Sequence, residues 1–581
     1  MNTPTPKPVT EADFPSHDGA MLHYRHWPAA TSSKRAVVLF HRGHEHSGRW
    51  QETVDALALE DVDVFAWDAR GHGASPGERG LAEHIGVLIR DVDAFVRHIS
   101  KMHGIAMEDM IIVAHSVGAV VAGAWVHDFA PPIRGMVLAT AAFRVRLYVP
   151  LAVPALRFRE KFLGPGFVKS YVKAHMLTHD AKEARLYAED PLIFPQIAVN
   201  MLLDLHDTGT RLVADAAAIR VPTLMFSAGA DWVVENQAQR EFYDRLSSAD
   251  KTLRLLPGFH HAIFHERERS LIVDDVRDFV KRLFGAPSAP LSSLRDADRH
   301  GFTKTEYYEM LDAPNTLAGK AGQIAFNTLG RLSEGISLGL RSGFDSGETL
   351  DYVYENKPRG TSPIGQMMDR TYLESPGWSG IRMRRKHLEE LLREAIRELH
   401  AAGKRVHILD AACGGGRYVL ETLAALRDIP ATALLRDYKK GNLEVAEKHR
   451  AALKLDGVKI VQADAFDAAS FTNLDPRPTI GIVSGLLELF PNNDAARACL
   501  AGFAAAIEPG GVLIYTGQPW HPQLRFIAGV LKNREGQPWV MRRRTQAEMD
   551  ELVRDAGFEK ETQAIDPWGI FTVSRGRRMV K

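Results

Sequence analysis

The chain has very little cysteine and no excess of charge of either sign. Its 581 residues include two cysteines, Cys413 and Cys499, so no disulfide framework can be proposed, and this usage is typical of a reducing compartment. Lys plus Arg and Asp plus Glu both number 72, so the formal net charge is zero. A protein that binds phosphate backbones usually carries a basic excess, so nucleic acid is not expected as a partner.

Long apolar segments are also missing. The stretch 1–16 has no apolar core of the kind that a signal peptide carries, and no run of about 18 apolar residues occurs anywhere. These absences argue against a membrane-spanning helix and predict a cytoplasmic location. At 581 residues the chain is too long for a single hydrophobic core, so several domain-sized units are expected.

Short apolar runs alternate with amphipathic stretches over the first half of the chain. This alternation is typical of a mostly parallel α/β sheet that is covered on both faces. Residues 143–220 break the rhythm and predict a cap inserted over the sheet, within a first domain spanning 1–284. The predicted strands are AVVLF (36–40), DVFAW (63–67), MIIVA (110–114), GMVLA (135–139) and TLMFS (223–227).

The second half contains a different α/β unit. A segment rich in Pro, Ser and Ala, 285–301, predicts a linker, and a region predicted to be a helical lead-in, 302–403, follows it. A new alternation then occupies 404–581, and we find no internal repeat that would make the two halves duplicates. Its predicted strands are VHILDAA (406–412), ATALLRD (431–437), KIVQAD (459–464), TIGIVSG (479–485) and GVLIYTG (511–517).

One serine lies where a strand meets a helix. In MIIVAHSVGAVV, Ser116 follows an apolar strand and precedes a helix rich in Ala and Gly. A nucleophilic serine at such a turn has a strained backbone and needs small residues two positions away on either side, here Ala114 and Gly118. Glycine is the usual residue at the first of these positions, so this is a variant that alanine can satisfy sterically.

An acid and a base follow this serine in the order Ser, Asp, His that the nucleophile turn predicts. Asp231 comes after a buried strand, and His261 follows a later one. His260 is the alternative base, but the apolar pair after His261 and the nearby Glu266 favour His261. Because a serine hydroxyl attacks only when an oriented base removes its proton, we predict a triad of Ser116, Asp231 and His261.

The loop FHRGHEHSGRW after the first central strand is predicted to supply the oxyanion hole. Two backbone N–H groups are needed there, and we assign them to Gly43 and Val117. The loop also contains His41, His44 and His46, but no carboxylate or cysteine lies at ligand spacing, so no metal is predicted.

Four segments of this half resemble the monoacylglycerol lipase and lysophospholipase branch of the α/β-hydrolases. They are HRGHEHSGRW, DARGHGASPGERG, AHSVG and HHAIFHE, and the resemblance covers residues 15–283. It implies hydrolysis of a carboxylic ester, often of a single acyl chain on glycerol or a glycerophospholipid. The chain differs from that branch at Arg42, where glycine is common, and at Ala114, but neither change removes a catalytic group.

The predicted cap mixes aromatic and aliphatic residues with many basic ones in residues 144–173. Two interpretations stay open. The cap could rest on an anionic membrane surface, which would place the enzyme at the inner face of the membrane, or admit a lipid chain. Alternatively, it is a cap helix with a solvated basic face.

The second α/β unit begins with a strand, a glycine-rich turn and a helix. In VHILDAACGGGRYVLETL, Asp410 precedes the turn, Gly414 and Gly416 lie in it, and Val419 stands where a dinucleotide site has its third glycine. Glycines let the backbone approach a ligand, and the helix N-terminus favours a negative group. The pattern resembles the S-adenosylmethionine (SAM) site of class I methyltransferases, to which Ala412 would also belong.

Two later strands end in acidic residues. Asp437 ends ATALLRD, where the resemblance implies contacts to both ribose hydroxyls. Asp464 ends KIVQAD, where it implies binding of the adenine amino group, with the backbone of Ala465 nearby. The segment IEPGGVLIYTG (507–517) resembles the Pro-Gly-Gly hairpin that precedes a late strand of the family. The predicted cofactor residues are therefore Asp410, Ala412, Gly414, Gly416, Asp437, Asp464 and Ala465.

No motif identifies the methyl acceptor. The segments 519–526 and 343–360 flank the core and are candidates for the acceptor pocket, and the basic run 541–544 is expected to be solvated. The sequence predicts a bifunctional enzyme: a serine ester hydrolase with the α/β-hydrolase fold and a helical cap, acting on a small-molecule or lipid ester, fused to a Rossmann-like class I methyltransferase. Two alternatives stay open. The second half could be a non-catalytic SAM-binding or scaffolding module, and the first half could cleave a non-ester bond as a peptidase does.

Overall fold

The chain folds into two compact units, which span 1–291 and 292–581. The structure, a computed structural model, describes residues 6–31, 33–287 and 291–580. The division falls inside the predicted linker, but residues 292–301 belong to the second unit. There the backbone N–H of Leu294 donates to Glu551 (2.8 Å) and Arg295 donates to Asp555 (2.9 Å). Polar contacts rather than apolar periodicity hold this segment, which is why its composition resembles that of a free linker.

The first unit is built on an eight-stranded sheet with the order β1-β2-β4-β3-β5-β6-β9-β10. The pairs β1–β2 and β2–β4 are antiparallel, and the other pairs are parallel. The strands of this unit, including a separate short pair, are β1 (Thr10–Pro15), β2 (Met21–Trp27), β3 (Ala36–Phe40), β4 (Asp63–Trp67), β5 (Met110–His115), β6 (Gly135–Ala139), β7 (Phe167–Lys169), β8 (Gln196–Ala198), β9 (Thr223–Ala228) and β10 (Lys251–Leu256).

The central strands are apolar because both faces of the sheet are covered by helices. All five residues of β3 and of β6 are buried. The predicted strands 36–40, 63–67 and 135–139 have these bounds in the structure, and the other two are each longer at the C-terminal end. The helices are α1 (Gln51–Leu57), α2 (Ile85–His103), α3 (Val117–Phe129), α4 (Ala152–Leu163), α5 (Ala181–Glu189), α6 (Val199–Ala214), α7 (Asn236–Arg245) and α8 (Ser270–Gly285).

The cap lies between β6 and β9 in the chain. It contains α4, α5 and α6, and also the antiparallel pair β7–β8, which the sequence did not predict. Helix α6 lies close to the start of the cap, because a Cβ on Gly209 would overlap the carbonyl group of Phe143. The close approach explains a glycine in the middle of a helix, where it otherwise lowers helix stability.

The second unit has a seven-stranded sheet with the order β13-β12-β11-β14-β15-β17-β16. Strand β17 is antiparallel to both neighbours, and the other pairs are parallel. The strands are β11 (Val406–Asp410), β12 (Ala431–Asp437), β13 (Val458–Gln462), β14 (Ile480–Val483), β15 (Val512–Gly517), β16 (Phe558–Ile565) and β17 (Thr572–Arg578).

The strand order reverses between β11 and β14. From β11 the chain proceeds to β12 and β13 on one side, and then returns to place β14 and β15 on the other. In open α/β sheets, ligands bind outside the carboxyl ends of the strands at such a reversal. The helices of this unit are α9 (Ala297–His300), α10 (Phe302–Leu311), α11 (Leu317–Thr328), α12 (Glu334–Ser342), α13 (Gly347–Glu355), α14 (Pro363–Leu373), α15 (Pro376–Ala401), α16 (Arg417–Ala425), α17 (Lys440–Ala452), α18 (Asn493–Ala506), α19 (Leu524–Val530) and α20 (Gln546–Asp555).

The basic run 541–544 is buried, so the expectation of solvated charge was wrong. Arg542, Arg543 and Arg544 are 1%, 2% and 4% exposed. Arg542 donates to Glu548 (2.7 Å), Arg543 to Glu306 (2.8 Å), and Arg544 to the carbonyl of Leu487 (2.7 Å). Each guanidinium has its own acceptors, and these include Thr303 and Glu306, which lie far away in sequence, and backbone carbonyl groups. Among the described residues, no helix is both long enough and apolar enough to cross a membrane.

Candidate active sites

Ser116 lies at a sharp turn between β5 and α3. Its φ of 56° and ψ of −113° are strained for a residue with a side chain, as is typical of a nucleophile turn. The strand ends at His115, and Val117 begins the helix. Gly118 lets this helix approach the end of β3, because a Cβ there would overlap the carbonyl oxygen of His41.

Ser116, His261 and Asp231 form a continuous chain of hydrogen bonds. His261 Nε2 is 2.8 Å from Ser116 Oγ, and His261 Nδ1 is 2.8 Å from Asp231 Oδ2. All three side chains are buried. The structure therefore brings the three predicted side chains together in the arrangement that can activate a serine hydroxyl.

The carboxylate of Asp231 is held in its ionised form. Its Oδ1 accepts hydrogen bonds from the backbone N–H groups of Val233 (2.7 Å) and Val234 (3.0 Å). Burial by itself would raise the pKa of Asp231, but His261 and these hydrogen bonds lower that pKa below its ordinary value. A negative charge beside Nδ1 keeps a proton on that nitrogen and leaves Nε2 able to accept the serine proton.

Two side chains that the sequence did not identify fix the backbone of His261. His115 Nε2 lies 3.0 Å from the carbonyl oxygen of His261, and Thr140 Oγ1 donates to the same oxygen at 3.1 Å. Burial lowers the pKa of His115 well below its ordinary value, so its ring is neutral. His115 is next to the nucleophile in sequence, but no sequence signal links it with residue 261.

The two predicted oxyanion donors lie next to each other. A Cβ placed on Gly43 would be 3.1 Å from Cγ2 of Val117. Neither backbone N–H donates a hydrogen bond to another of the described residues. Unused N–H groups beside a nucleophilic serine are the donors that the oxyanion of a tetrahedral intermediate requires.

Arg42, which differs from the resembled lipases, is neutralised within its own loop. Its Nη2 donates to Glu45 Oε1 (2.7 Å), and its guanidinium lies 4.8 Å from the ring centroid of Tyr187 in cap helix α5. Burial favours protonation of Glu45, but Arg42 and neighbouring cations lower its pKa. Glu45 thus compensates the unusual arginine, which the sequence comparison alone could not show.

The three histidines of the oxyanion loop do not converge. His41 Nε2 accepts a hydrogen bond from the N–H of Ala69 (3.0 Å), and His46 Nε2 lies 3.0 Å from Asp190 Oδ2 in the cap. Burial lowers the pKa of His44 to about 4. Each ring therefore has its own surroundings rather than a common ligand position.

His260, the alternative base, belongs to a separate cluster with His179 and Glu266. The two histidine rings have centroids 3.7 Å apart. Glu266 accepts from the backbone N–H of His260 and of His179, and from His179 Nδ1, each at 3.0 Å. The potential ligand atoms of the three residues lie within 4.8 Å of one another. In this structure the carboxylate joins a cap segment to the loop that carries His261.

In the second unit, the glycine-rich turn lies between β11 and α16. Gly414 and Gly416 have φ values of 54° and 66°, in the left-handed region that favours glycine. A Cβ on Gly416 would be 2.8 Å from Leu435 Cδ1, whereas a Cβ on Gly414 would meet no protein atom within 4 Å. Packing therefore requires Gly416, and Gly414 leaves open space in which a ligand can approach the backbone.

Asp410 is fully buried at the end of β11. Tyr418 Oη donates to its Oδ2 (2.6 Å), and the N–H of Ala412 donates to its Oδ1 (3.3 Å). Burial raises the pKa of Asp410 to about 7. A carboxyl group with this pKa can gain its charge near neutral pH when a cation binds nearby.

Asp437 ends β12, and protein groups already use most of its acceptor capacity. Its Oδ2 accepts from the N–H of Gly414 (3.0 Å), and its Oδ1 accepts from Lys439 N–H (2.9 Å) and Asn442 Nδ2 (3.0 Å). A carboxylate offers about four lone-pair sites. The structure leaves room for about one ligand hydroxyl rather than the two that the resemblance implies.

Asp464 lies in the loop after β13 rather than at the end of the strand. The strand ends at Gln462, so the predicted strand 459–464 extended too far. Asp464 is exposed, and its Oδ1 accepts from the N–H of Phe466 (2.9 Å), while Ala465 is buried. The Oδ2 atom has no partner among the described residues, so it can accept a hydrogen bond from a ligand.

A cavity lies at the edge of the sheet formed by the carboxyl ends of its parallel strands. Its volume of about 460 Å³ is within the usual range of small-molecule sites. Gly485 and Glu488 follow β14, and Gln518 and His521 follow β15. The predicted segment 519–526 therefore contributes to this cavity. The segment 343–360 contributes only Asp345 and Leu350. The apolar lining includes Phe326, Ile336, Leu350, Met367, Ile527 and Leu531.

Two family models divide the chain between them. One, described as "Serine aminopeptidase, S33", matches residues 31–268. The other, described as "Putative methyltransferase", matches residues 276–578. These matches confirm the predicted order of a hydrolase followed by a methyltransferase-type unit.

One relative matches nearly the whole chain, and others match only its first half. The chain is 48% identical over 577 residues to the uncharacterized protein YnbC of Escherichia coli (strain K12), covering 97% of this chain and 98% of that protein. It is 28% identical over 278 residues to the monoacylglycerol lipase of Mycolicibacterium smegmatis, covering 47% and 96%. The crystal structure of Paleococcus ferrophilus monoacylglycerol lipase aligns with a TM-score of 0.41 and 22% identity, covering 48% of this chain and 99% of that one.

Proposed function

This chain belongs to the family described as "Putative methyltransferase", and from that premise we propose that it carries two catalytic centres. The first is a serine ester hydrolase with Ser116 as nucleophile. The second is a SAM-dependent methyltransferase at the turn after β11. The observation that carries the hydrolase proposal is the pair of 2.8 Å hydrogen bonds that link Ser116, His261 and Asp231.

The first half-reaction forms an acyl-enzyme. Ser116 Oγ attacks the ester carbonyl carbon while His261 Nε2 takes its proton, and Asp231 keeps Nδ1–H oriented. The N–H groups of Gly43 and Val117 stabilise the oxyanion. His261 then returns the proton to the leaving alcohol oxygen as the C–O bond breaks.

The second half-reaction releases the acid. A water molecule attacks the acyl carbonyl, His261 takes its proton, and the C–O bond to Ser116 breaks as that proton returns to Oγ. A lipid ester is the proposed substrate. The support is the similarity to a protein named monoacylglycerol lipase and the apolar surface of the cap described below.

In the second unit, the residues around the turn fit SAM. Bound SAM would supply a methyl group on a positively charged sulfur. The open space over Gly414 would admit it, Asp410 and Ala412 would lie under its amino-acid part, and the N-terminus of α16, which follows Gly416, would favour its carboxylate. Asp437 would accept a ribose hydroxyl, and Asp464 with Ala465 would contact the adenine.

Peripheral membrane contact is proposed for the cap. Helix α4 has no buried residue. Exposed large apolar side chains flank or lie on it: Tyr148, Val149, Leu151, Phe158, Phe162 and Leu163. Basic residues of the same segment include Arg157, Lys161 and Lys169, and an apolar face next to basic groups is typical of a helix that lies on an anionic membrane.

A competing hypothesis makes the second unit a non-catalytic SAM-binding or scaffolding module. Calorimetry with SAM on the wild type and on Asp437→Ala tests the binding step. We expect binding by the wild type and at least about tenfold weaker binding by the variant, because a charge-assisted hydrogen bond is lost. Absence of any heat of binding with the wild type would contradict the cofactor proposal.

A second competing hypothesis, favoured by the description "Serine aminopeptidase, S33", is cleavage of amide bonds. Parallel assays with short-chain p-nitrophenyl esters and aminoacyl p-nitroanilides distinguish the two. We expect turnover of the esters, and its loss by about 10⁴-fold or more in Ser116→Ala. Faster turnover of the anilides, or a Ser116→Ala variant as active as wild type, would contradict the ester hydrolase.

A further inference from the structure

The cavity of the second unit has a polar end and an apolar end. Its polar groups follow the neighbouring strands β14 and β15, which run parallel. The N–H of Gly485 donates to Thr516 (3.0 Å), which places the segments after the two strands side by side. Gln518 and His521 therefore lie near Gly485 and Glu488, next to the reversal in strand order.

The buried amide nitrogen of Gln518 has no hydrogen-bond partner in the part of the chain that the structure describes. The residue is 3% exposed, and its Nε2 is buried without an acceptor among the described residues. Buried polar groups are nearly always paired in folded proteins, with protein, water or ligand. An unpaired N–H donor that lines a cavity therefore indicates that a ligand or water oxygen belongs there.

His521 supplies a second donor at this end. Its Nδ1 accepts a hydrogen bond from the N–H of Gln523 (3.0 Å), and burial lowers its pKa to about 3, so the ring is neutral. A neutral imidazole that accepts at Nδ1 carries its proton on Nε2. His521 lines the cavity, its Nε2 would lie 3.1 Å from a Cβ on the lining residue Gly377, and this nitrogen has no acceptor among the described residues.

Arg384 completes the polar end. It is 8% exposed and donates to Glu488 (3.2 Å), its one hydrogen bond among the described residues. Its guanidinium lies 4.9 Å from the ring centroid of Phe571, whose ring is also 6.2 Å from that of His521. A Cβ on Gly485 would lie 3.2 Å from Arg384 Nη2, so Arg384 belongs to the same end of the cavity, and its remaining N–H groups are further donors.

The charges around the cavity limit which polar group of a ligand can bind at its polar end. Arg384 is balanced by Glu488, and the other two charged residues of the lining, Asp345 and Arg534, pair with each other at 2.8 Å. The unused groups at the polar end are mainly donors. They suit a small head that accepts hydrogen bonds and carries at most one negative charge, and they do not suit a cationic head or a large polyhydroxyl head.

The remainder of the lining is aliphatic and aromatic. Ile336, Leu350, Ile527 and Leu531 all line it, and the ring of Phe326, another lining residue, is 5.6 Å from that of Phe526. An apolar cavity of this kind binds hydrocarbon through the area it removes from water. A single aliphatic chain that ends in a carboxylate matches both ends.

We propose that this cavity is the acceptor site of the second unit and that it takes a free fatty acid, with the carboxylate at Gln518, His521 and Arg384 and the chain among the apolar residues. The inference rests on the proposed methyltransferase function.

One carboxylate oxygen would form a bond to the methyl carbon as the carbon–sulfur bond of SAM breaks with its electrons on sulfur. The products are a fatty acid methyl ester and S-adenosylhomocysteine, and no proton has to be moved. The ester hydrolysis proposed for the first unit releases acids of this class.

The inference is tested by calorimetry, in which dodecanoate is titrated into the full-length chain in the presence of SAM and the heat of binding is measured. The variants Gln518→Leu, which removes the donor, and Ile527→Trp, which fills the cavity, leave the first unit unchanged. Gln462→Leu is the matched control, because Gln462 is an exposed glutamine outside the cavity. We expect a binding component that weakens by about tenfold or more in Gln518→Leu, disappears in Ile527→Trp and persists in Gln462→Leu. Dodecylamine should not give that component.

The same samples, supplied with methyl-labelled SAM, should form labelled methyl dodecanoate in the wild type and far less in Gln518→Leu. If SAM binds but dodecanoate shows no component sensitive to both variants, if dodecylamine binds equally well, or if bound dodecanoate is not methylated, the inference is overturned. Failure of SAM itself to bind would instead contradict the proposed methyltransferase. In that case the dodecanoate titration still decides whether the cavity takes a fatty acid.

Discussion

At the residue scale, two adjacent histidines after β10 have different surroundings. His261 contacts Ser116 and Asp231 at 2.8 Å each, whereas the His260 ring lies 3.7 Å from that of His179 and the His260 backbone N–H donates to Glu266. The chemistry of a base requires the first arrangement. The second arrangement connects the cap to the catalytic loop.

Alanine at each of these two positions should therefore have unequal effects. We expect His261→Ala to lower kcat for a soluble short-chain ester by about 10⁴-fold or more, since no other base among the described residues is hydrogen-bonded to Ser116 Oγ. His260→Ala, the matched control, should retain activity within about tenfold of wild type. Steady-state kinetics at saturating ester measures both, and equal losses in the two variants would refute the assignment of the base.

The raised pKa of Asp410 can be tested through the pH dependence of protein stability. In the folded protein its pKa is about 7, compared with an ordinary value of 3.8, so between these values the folded state binds more protons than the unfolded one. This carboxyl therefore destabilises the SAM-free protein progressively as the pH rises from about 4 to about 7. Asp410→Asn removes the titration but keeps a polar group beside Tyr418.

At pH 8 we expect Asp410→Asn to raise the Tm by several degrees relative to wild type, which corresponds to a gain of about a few kcal/mol in the free energy of unfolding. At pH 4.5 we expect little change in the Tm. Thermal unfolding of both proteins at the two pH values, without SAM, measures this difference. A gap in Tm that does not change with pH would show that Asp410 is ionised throughout.

The catalytic triad could be predicted from sequence because its members occur in a fixed order, each after an apolar strand. Its supports could not be predicted. His115 and Thr140 reach the carbonyl of His261 across long stretches of chain, and Glu45 neutralises Arg42 only because the loop folds back on itself. Such contacts depend on tertiary geometry and leave no periodic signal.

At the element scale, the glycine turn after β11 allows the effect of a substitution on ligand binding to be distinguished from its effect on backbone strain. Gly414 and Gly403 both have positive φ values, 54° and 68°, and a Cβ on either would meet no protein atom within 4 Å. They differ in position, since Gly403 precedes β11, whereas Gly414 lies in the turn after β11 where SAM is proposed to bind. Alanine at either position costs a similar backbone strain of about 1 kcal/mol.

We therefore expect Gly414→Ala to weaken SAM binding by at least about tenfold, because its methyl group occupies the space proposed for SAM. Gly403→Ala should lower the Tm by a similar amount and leave the Kd for SAM unchanged. Calorimetry and thermal unfolding on both variants provide the comparison. Equal affinities for SAM in the two variants would place the cofactor elsewhere.

The cap helix α4 gives a second test at this scale. Leu151 and Phe162 are 78% and 64% exposed, and Leu317 in the second unit, at 89%, is a matched exposed residue away from the cap. We expect Leu151→Glu combined with Phe162→Glu to lower binding to vesicles containing anionic lipid severalfold, because apolar burial is lost and repulsion is added. Hydrolysis of a short-chain soluble ester should change little.

Co-sedimentation with phosphatidylglycerol vesicles measures the binding, with Leu317→Glu as the control that should sediment like wild type. If the cap variant sediments as well as wild type, helix α4 is a solvated cap helix and not a membrane contact.

Strands were predicted more accurately than the segments between them. The runs at 36–40, 63–67, 135–139 and 431–437 keep their bounds in the structure. Those at 36–40 and 135–139 are apolar throughout because both faces of each strand are covered. The β7–β8 pair and the burial of Arg542 could not be predicted in this way. Short half-exposed strands have no strong pattern, and the burial of an arginine depends on acceptors that come together only in the folded chain.

At the scale of the whole molecule, the sequence predicted two different α/β units in the right order, and of the cavity it predicted the contribution of 519–526 but not most of the lining. Its lining combines helices of the 302–403 region with segments after β14 and β15, which come together only in the folded unit. The 48% identity to YnbC over nearly the full length shows that both units occur together in another chain of this family. Two centres in one chain are therefore the central claim.

The most direct test of that claim is peptide mapping by mass spectrometry after reaction of the full-length chain with a serine-directed alkyl phosphonate, with SAM binding measured on the same labelled sample. The account predicts one phosphonyl group per chain, on Ser116, complete loss of ester hydrolysis, and a Kd for SAM equal to that of the unlabelled protein. A chain that is not labelled, is labelled at another residue, or keeps its esterase activity when Ser116 is labelled would contradict it.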